Sequence, residues 1–366
     1  MAQDWDSDWA ANSPGNGLKT NELTAFQVQM NTKYMRDGTT RQANPFDCWI
    51  DDVHLLREPA PQTPAASTKY TTQGNQILKD GSPVILKGLA RPSFEWDPAG
   101  FGITREDIQR MKAWGPKLNV IRYSLNQGFW LKGHADYNPL YEAYVDRAVQ
   151  WTLQEGLAVI LDLHWTSTAG QTNMADQQSL SFWTQVATKY KNDGRIMFEL
   201  YNEPHDIDTN TWLNGGGNYA GMQQMYDAVR AAGANNIVMV GGLDWAYDLS
   251  HVAAGTKVNG TNIVYVTHPY GWKAKDDIPQ KYGNLTATYP VIATEFGYAD
   301  VGGASARNCF ESEYTRLLND FNSRGMSWTG WAWLVDELRC GFPTLIDSYS
   351  GTPTEPGAIV KSALSN

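Results

Sequence analysis

Two glutamates stand at the ends of short apolar segments, where an ionised side chain is unusual. Glu203 closes the segment IMFELYNEP at 196–204, and Glu295 follows PVIAT in the segment at 290–297. Burial of a carboxylate disfavours its charged form, so two such residues require a chemical reason. Cleavage of a glycosidic bond is one: a first carboxyl group protonates the leaving oxygen, and a second attacks the anomeric carbon or activates water.

Other residues able to bind or polarise a substrate recur at the ends of similar segments. They are Arg122, His164, Asn202, His268, Tyr270 and Trp333. We therefore expect one end of the fold to carry the site.

Eight short apolar segments alternate with helical stretches in the larger, C-terminal part of the chain. They lie at 84–90, 118–125, 157–165, 196–204, 236–242, 262–270, 290–297 and 326–333. Each is typical of a strand buried on both faces. Eight strand–helix repeats predict an α/β fold, a (β/α)8 TIM barrel, whose reactive groups lie at the C-terminal ends of the strands. The fourth and seventh strands face each other across such a barrel, so Glu203 and Glu295 would flank a bound sugar.

Smaller features fit this interpretation. The segment at 74–86 reads as a hairpin that turns at Asp80 and Gly81 and covers the bottom of the barrel. Thr104 is placed to cap a helix over 104–115. No G-x-G-x-x-G or P-loop motif follows the first strand, which argues against a nucleotide-binding fold.

With these residues in place, the chain over about residues 70–360 resembles glycoside hydrolase family 5, a family of retaining (β/α)8 glycosidases. The family's Asn-Glu-Pro motif is matched at 202–204 and its Glu-Phe-Gly motif at 295–297. The resemblance implies that Glu203 is the general acid/base and that Glu295 is the nucleophile.

The resemblance also implies roles for residues on the neighbouring strands. Asn202 would bond the sugar 2-hydroxyl, and Arg122 would fix the carboxylate of Glu295. His164, in LDLHW, matches the family's histidine on strand three.

Three matches come from the last strands. His268 and Tyr270 match the family's His-x-Tyr motif, and Trp333 matches the tryptophan that forms a platform under the sugar at the −1 subsite. His268 has two possible roles, positioning Glu203 or hydrogen-bonding the substrate, and the sequence does not choose between them.

Electrostatics predict different states for the two glutamates. Tyr270 and Arg122 would favour the carboxylate form of Glu295, as a nucleophile requires. Glu203, screened by aromatic residues and facing a negative partner, should have a raised pKa suited to proton donation.

Two further acidic residues, Asp162 and Glu199, also lie on strands. They are one pleat removed from His164 and are expected to be structural, beyond reach of the site around Glu203.

Tryptophan is abundant, with 15 residues in the chain, and several follow strands in predicted loops. Stacking on sugar rings is predicted for Trp96, Trp130, Trp165, Trp212, Trp245 and Trp272, with about half of them expected merely to pack. Cys309 and Cys340 follow strands seven and eight, so a disulfide between their loops is geometrically possible. A disulfide there would indicate an oxidising compartment.

The chain divides into three parts by composition. Residues 1–57 form a β-rich segment, 58–68 a proline-rich linker, and 69–366 the (β/α)8 catalytic domain. The first segment is too short for a β-sandwich and reads as a fragment of one. Its end, WIDDVHLL, weakly resembles the last strand of jelly-roll carbohydrate-binding modules.

Charge and composition restrict the partners. A formal net charge of −10 repels phosphate, which argues against nucleic acid and anionic membranes. We expect a β-linked polysaccharide or oligosaccharide as substrate, a monomer, no cofactor and no metal in the active site. A polymeric substrate favours an extracellular protein, although the start MAQDWDSDWA lacks the features of a secretory signal.

The sequence therefore predicts a retaining endo-β-1,4-glucanase acting on cellulose-like or mixed-linkage β-glucan. An endo-β-mannanase or a xylan-active enzyme with the same catalytic pair is the alternative. Two other classes are a carbohydrate-binding protein without catalysis and a metal-dependent barrel hydrolase.

Overall fold

The structure is a closed barrel of eight parallel strands surrounded by helices. The computed structural model describes residues 68–271, 273–298, 311–335 and 343–365. The barrel strands are β4 Lys87–Arg91, β5 Val120–Asn126, β6 Ala158–Trp165, β7 Ile196–Glu199, β8 Val238–Gly241, β9 Ile263–Thr267, β10 Val291–Ala293 and β11 Ser327–Gly330. They pair in sequence order, and β11 closes the barrel against β4. The predicted (β/α)8 barrel is confirmed.

Helices cover the outside of the barrel. They are α1 Arg105–Lys112, α2 Gln127–Trp130, α3 Tyr141–Gln154, α4 Gln178–Tyr190, α5 Thr209–Asn214, α6 Met222–Ala231, α7 Ser250–Ala253, α8 Ile278–Lys281, α9 Glu311–Arg324 and α10 Glu355–Ser365, with a 3₁₀ turn at Gly283–Ala287. Thr104 caps α1 as predicted, because its side chain accepts a hydrogen bond from the backbone N–H of Asp107.

A three-stranded antiparallel sheet closes the bottom of the barrel. It consists of β1 Tyr70–Gln73, β2 Gln76–Lys79 and β3 Ser82–Pro83. Asp80 and Gly81 turn the chain between β2 and β3 with φ of 50° and 81°, the left-handed conformation that a tight hairpin needs. Tyr70 and Ile77 pack against the apolar side chains inside the barrel, so the predicted cover is confirmed and has one more strand than expected. A short hairpin, β12 Ile346–Ser348 with β13 Thr352–Pro353, follows the barrel.

The barrel interior is apolar at the bottom and polar at the top. Its lower layers are filled by Leu86, Val120, Ala158, Ile160, Met197, Ile237, Met239, Val264, Val266 and Ile292. Above this layer, on or directly after five of the strands, the side chains that point inward are Arg122, Asp162, Glu199, His268 and Thr294. The apolar layers thus form a rigid floor for a polar layer.

Several predictions concern residues outside the described part of the chain. These are the segment 1–57, most of the linker 58–68, Trp272, Cys309 and Cys340. Within the described ranges, no helix combines the length and the apolar character that crossing a bilayer requires.

Candidate active site

The predicted nucleophile lies at the end of β10 and receives two hydrogen bonds. Arg122 donates from Nη1 to Oε1 of Glu295 at 2.8 Å, and the Tyr270 hydroxyl donates to Oε2 at 2.6 Å. Glu295 is 3% exposed, so both contacts are shielded from water. Burial and the charge of Glu295 raise the pKa of Tyr270 far above its ordinary value, which keeps its hydroxyl a donor. This geometry fixes the orientation of the carboxylate.

The predicted acid/base has a different set of partners. Oε1 of Glu203 lies 3.0 Å from Nδ1 of His268, and Nε2 of Gln171 donates to Oε2 at 3.2 Å. The side chain of Glu203 is 14% exposed, more than that of Glu295. His268 thus contacts Glu203 directly, as the first of the two roles that the sequence left open requires.

The two carboxyl groups converge on one space. An oxygen of Glu203, an oxygen of Glu295 and a ring nitrogen of His268 all lie within 4.8 Å of one another. The two carboxyl groups are thus close enough to act on one bond, the arrangement that cleavage of a glycosidic bond requires.

Arg122 is a fully buried anchor beneath this space. Its Nε and Nη2 form a bidentate pair with Glu199 at 2.8 and 3.0 Å, and Nη2 lies 2.9 Å from Oδ2 of Asp162. The same Nη2 donates to Oδ1 of Asn202 at 2.8 Å. With Glu295, the guanidinium contacts three carboxylates, and its pKa is raised because their charges outweigh the effect of burial.

The expectation that Asp162 and Glu199 lie beyond the site is therefore wrong. Residues two apart on a strand share a face, so these side chains point into the barrel one layer below the strand ends. The long side chain of Arg122 bridges that layer to Glu295. Burial raises the pKa of Asp162, against the opposing charge of Arg122. The pKa of Glu199 is lowered to about 2, because Arg122 and His268 outweigh burial.

The protonation expected for Glu203 also needs correction. Burial pushes its pKa upward, but the hydrogen bond and charge of His268 outweigh burial and lower it. For His268, burial opposes the charged form, yet the carboxylates of Glu295, Glu199 and Glu203 raise its pKa to about 10.

His164 and Asn202 complete the side of the site toward β6. Nδ1 of His164 lies 2.7 Å from Oδ2 of Asp162, and burial lowers the pKa of this histidine, so it is neutral. The amide of Asn202 donates to Oε1 of Gln171 at 3.2 Å. The side-chain amide of Asn202 is thus bonded through both its oxygen and its nitrogen, by Arg122 and Gln171, next to Glu203.

The expected platform residue is misassigned. Trp333 is completely buried, its Nε1 donates to Oδ1 of Asp107 at 2.8 Å, and its ring packs edge-on against Trp114. Trp331 occupies the site instead: its ring lies parallel to that of His164 at 5.5 Å and 5.8 Å from the guanidinium of Arg122. The reason is that β11 ends at Gly330, so Trp331 is the first residue beyond the strand.

The predicted sugar-stacking tryptophans divide into two groups. Trp130 is 4% exposed, and Trp212 is fully buried with its Nε1 bonded to the carbonyl of Gly241, so neither faces a substrate. Trp96 and Trp245 are 41% and 43% exposed, and Trp165 is half-buried near His164.

The exposed ring of Trp245 is held in place by a neighbouring histidine and by a tight turn of the backbone. Its ring stacks on that of His205 with a centroid distance of 3.6 Å and an angle of 6°. Asp244, Trp245 and Ala246 all have left-handed φ of 57–61°, a conformation that is strained for residues with a Cβ. Two backbone hydrogen bonds hold this turn next to Glu203: the N–H of Trp245 donates to the carbonyl of Pro204, and the N–H of His268 donates to the carbonyl of Ala246.

One group of side chains in the described ranges has metal-ligand spacing, namely Glu203, His268 and Glu295. Within this group, Nδ1 of His268 lies 3.0 Å from Oε1 of Glu203 and 3.9 Å from Oε2 of Glu295.

Sequence reasoning missed three residues of the site: Trp331, Gln171 and Thr294. Trp331 could have been found from the glycine at 330, which ends the strand pattern. Gln171 lies in the loop after β6 and has no distinguishing pattern. Thr294 precedes Glu295, and its hydroxyl lies between His268 and Glu199.

Comparison with known proteins is consistent with this geometry. A family model described as cellulase (glycosyl hydrolase family 5) matches residues 77–337. An endoglucanase of Clostridium saccharobutylicum is 27% identical over 319 residues, covering 82% of this chain and 66% of the relative. Endoglucanase 5 of Pectobacterium carotovorum is 25% identical over 269 residues, covering 71% of this chain and 49% of the relative. The chain thus spans about half to two thirds of the length of these relatives.

Solved structures share the fold. A beta-glucanase of Saccharophagus degradans in complex with cellotetraose has a TM-score of 0.69 and 23% identity, covering 86% of this chain and 97% of that one. The catalytic domain of a Thermobifida fusca endoglucanase, also with cellotetraose, has a TM-score of 0.64 and 20% identity, covering 81% and 97%. Since the family model matches more than half of the residues, the chain belongs to the cellulase family, glycosyl hydrolase family 5.

Proposed function

We propose that this protein is a retaining endo-β-1,4-glucanase that hydrolyses internal bonds of cellulose-like or mixed-linkage β-glucan. The observation that carries the proposal is the convergence of Glu203 and Glu295 within 4.8 Å at the C-terminal end of the barrel. Each carboxyl group has the partners that its role requires, Arg122 and Tyr270 for Glu295 and His268 for Glu203.

The reaction proceeds by double displacement. A carboxylate oxygen of Glu295 attacks the anomeric carbon, and the bond to the leaving oxygen breaks while Glu203 gives that oxygen a proton. Water then attacks the glycosyl ester, gives a proton to Glu203 and releases Glu295 as a carboxylate. Asn202, held by Arg122 and Gln171, is placed to bond the sugar 2-hydroxyl.

The choice of glucan rests on the relatives. The curated relatives cited are named endoglucanases, and two of the solved structures hold cellotetraose. Exposed Trp96 and Trp245 and half-buried Trp165 are proposed to stack on further sugar rings along the chain. A polymeric substrate also supports an extracellular location.

The test is hydrolysis of carboxymethylcellulose, barley β-glucan, galactomannan and arabinoxylan side by side, with sizing of the products and NMR of the first anomer formed. Short oligomers of the β-anomer from the first two substrates alone are expected. Dominant cleavage of galactomannan or arabinoxylan would be compatible with the proposed catalytic pair but would refute glucan as the substrate. Glu203→Gln, made and purified identically, controls for contaminating glucanase. Binding without hydrolysis by the wild-type protein would instead indicate a carbohydrate-binding protein.

A further inference from the structure

His268 lies at the centre of a hydrogen-bonded chain that reaches below the catalytic residues. Its side chain is fully buried, with Nδ1 3.0 Å from Glu203 and Nε2 2.9 Å from the hydroxyl oxygen of Thr294. That hydroxyl donates a hydrogen bond to Oε1 of Glu199 at 2.8 Å. Because a hydroxyl has one proton, the Thr294 oxygen can only accept from His268, and Nε2 must carry a hydrogen.

The surroundings of the imidazole are strongly negative. Glu203, Glu199 and Glu295 have oxygens 3.0, 3.7 and 3.9 Å from its nitrogens. Asp162 is a further acidic group of the same layer, and Arg122 is the cation there, engaged with Glu199 and Glu295. A neutral imidazole with hydrogen on Nε2 would leave Nδ1 as an acceptor, which requires the proton to lie on Glu203, and would do nothing to balance the charges of Glu199 and Glu295. An imidazolium satisfies both contacts as a donor and offsets the charge.

We propose that Thr294 and Glu199 are positioning residues that keep His268 an imidazolium, so that the proton for the leaving group is stored on the His268–Glu203 pair. This rests on the proposed acid/base role of Glu203. During the first displacement the Nδ1 proton passes to Glu203 and on to the leaving oxygen, while Glu295 becomes an ester. His268 ends neutral with its Nε2 hydrogen still bonded to Thr294, and the site keeps the same total charge. Water returns the proton in the second displacement.

The link through Thr294 can be removed with little change in shape. Thr294→Val deletes the acceptor of the Nε2 hydrogen, and Thr294→Ser retains it. Thr267→Val is the matched control, because Thr267 is equally buried on the adjacent strand and its hydroxyl bonds the carbonyl of Tyr247 outside the site.

The measurement is the pH dependence of kcat/KM on barley β-glucan. Loss of one charge-assisted hydrogen bond destabilises the imidazolium, so the basic limb of Thr294→Val should move about one pH unit to lower pH. Thr294→Ser and Thr267→Val should keep the wild-type limb. A Thr294→Val limb that coincides with the wild type, or the same shift in Thr267→Val, would overturn the proposal.

A direct readout decides the matter if Thr294→Val fails to fold. In ¹⁵N-histidine-labelled wild-type enzyme at pH 7, with the His268 signals assigned by their loss in His268→Asn, both ring nitrogens should be protonated. A neutral ring would refute proton storage on His268 while leaving the double displacement intact. Failure of the proposed function itself would be visible separately, as wild-type protein without glycosidase activity.

Discussion

Replacement of Arg122 by methionine tests how the polar layer is held together. Arg122 is fully buried and contacts three carboxylates, those of Asp162, Glu199 and Glu295, so methionine keeps most of the volume and removes the guanidinium charge. Breaking a buried ion pair by removing one partner destabilises a protein by about 3–5 kcal/mol.

The shifted titration of Glu199 gives an independent magnitude. A lowering from its ordinary range to about 2 corresponds to about 3 kcal/mol of stability at neutral pH. Because the folded-state pKa is depressed, this stability is present above the unfolded pKa and is lost as pH falls toward 2. Without Arg122 most of that contribution disappears. The two routes agree on a loss of about 3 kcal/mol or more at pH 7.

Denaturant unfolding at pH 7 and pH 3 measures the difference between wild type and Arg122→Met. The gap should be about 3 kcal/mol at pH 7 and shrink by about half at pH 3, where the wild type loses part of the Glu199 contribution. Activity should fall at least about a hundredfold, since Glu295 loses a charge-assisted hydrogen bond. Arg91→Met is the matched control, because Arg91 is equally buried and pairs with Asp107 outside the site. A gap below about 1 kcal/mol, or one independent of pH, would refute the reasoning.

Other variants test single parts of the site. Glu295→Ala should be inactive and recover turnover with azide, giving a glycosyl azide of inverted configuration; no rescue would contradict its role as nucleophile. Trp333→Phe should lower the free energy of unfolding by about 2 kcal/mol, because the hydrogen bond to Asp107 is lost, and should keep kcat within about threefold of wild type. A large loss of kcat would show that Trp333 does belong to the active site. Trp245→Ala should raise KM for long glucans and leave cleavage of a short aryl glycoside unchanged, which parallel kinetics would check. Dialysis against EDTA should leave activity unchanged, and loss that added Mn²⁺ reverses would indicate a metal.

The barrel could be predicted because its signal is repeated along the chain. Each barrel strand is buried on both faces, so the strands appear as eight short apolar segments separated by helical ones. The ends of the strands were predicted less accurately. The fourth segment was predicted over 196–204, but β7 ends at Glu199, and Leu200 and Tyr201 are fully buried beyond it. Hydrophobicity reports burial rather than regular strand pairing, so the apolar pattern continues past the last residue of the strand.

Residues at the site were predicted well where the position along a strand decides the outcome. Arg122, Tyr270 and His268 contact the glutamates expected for them. Tryptophans were predicted poorly, because the path of a loop decides whether an indole faces outward. Trp212 and Trp245 both follow strands, yet one donates to a backbone carbonyl in the core and the other lies exposed on His205.

The prediction of a raised pKa for Glu203 was wrong for a related reason: His268 lowers that pKa, and His268 itself is kept charged in part by Glu199, which lies one layer further down. Glu199 is paired with Arg122, which also contacts Glu295, and through Thr294 it is linked to His268, which contacts Glu203. One buried carboxylate therefore contacts partners of both Glu203 and Glu295. Glu199 therefore couples the electrostatics of Glu203 to that of Glu295. The protonation state of such coupled groups belongs to the whole network rather than to one residue and its direct neighbours.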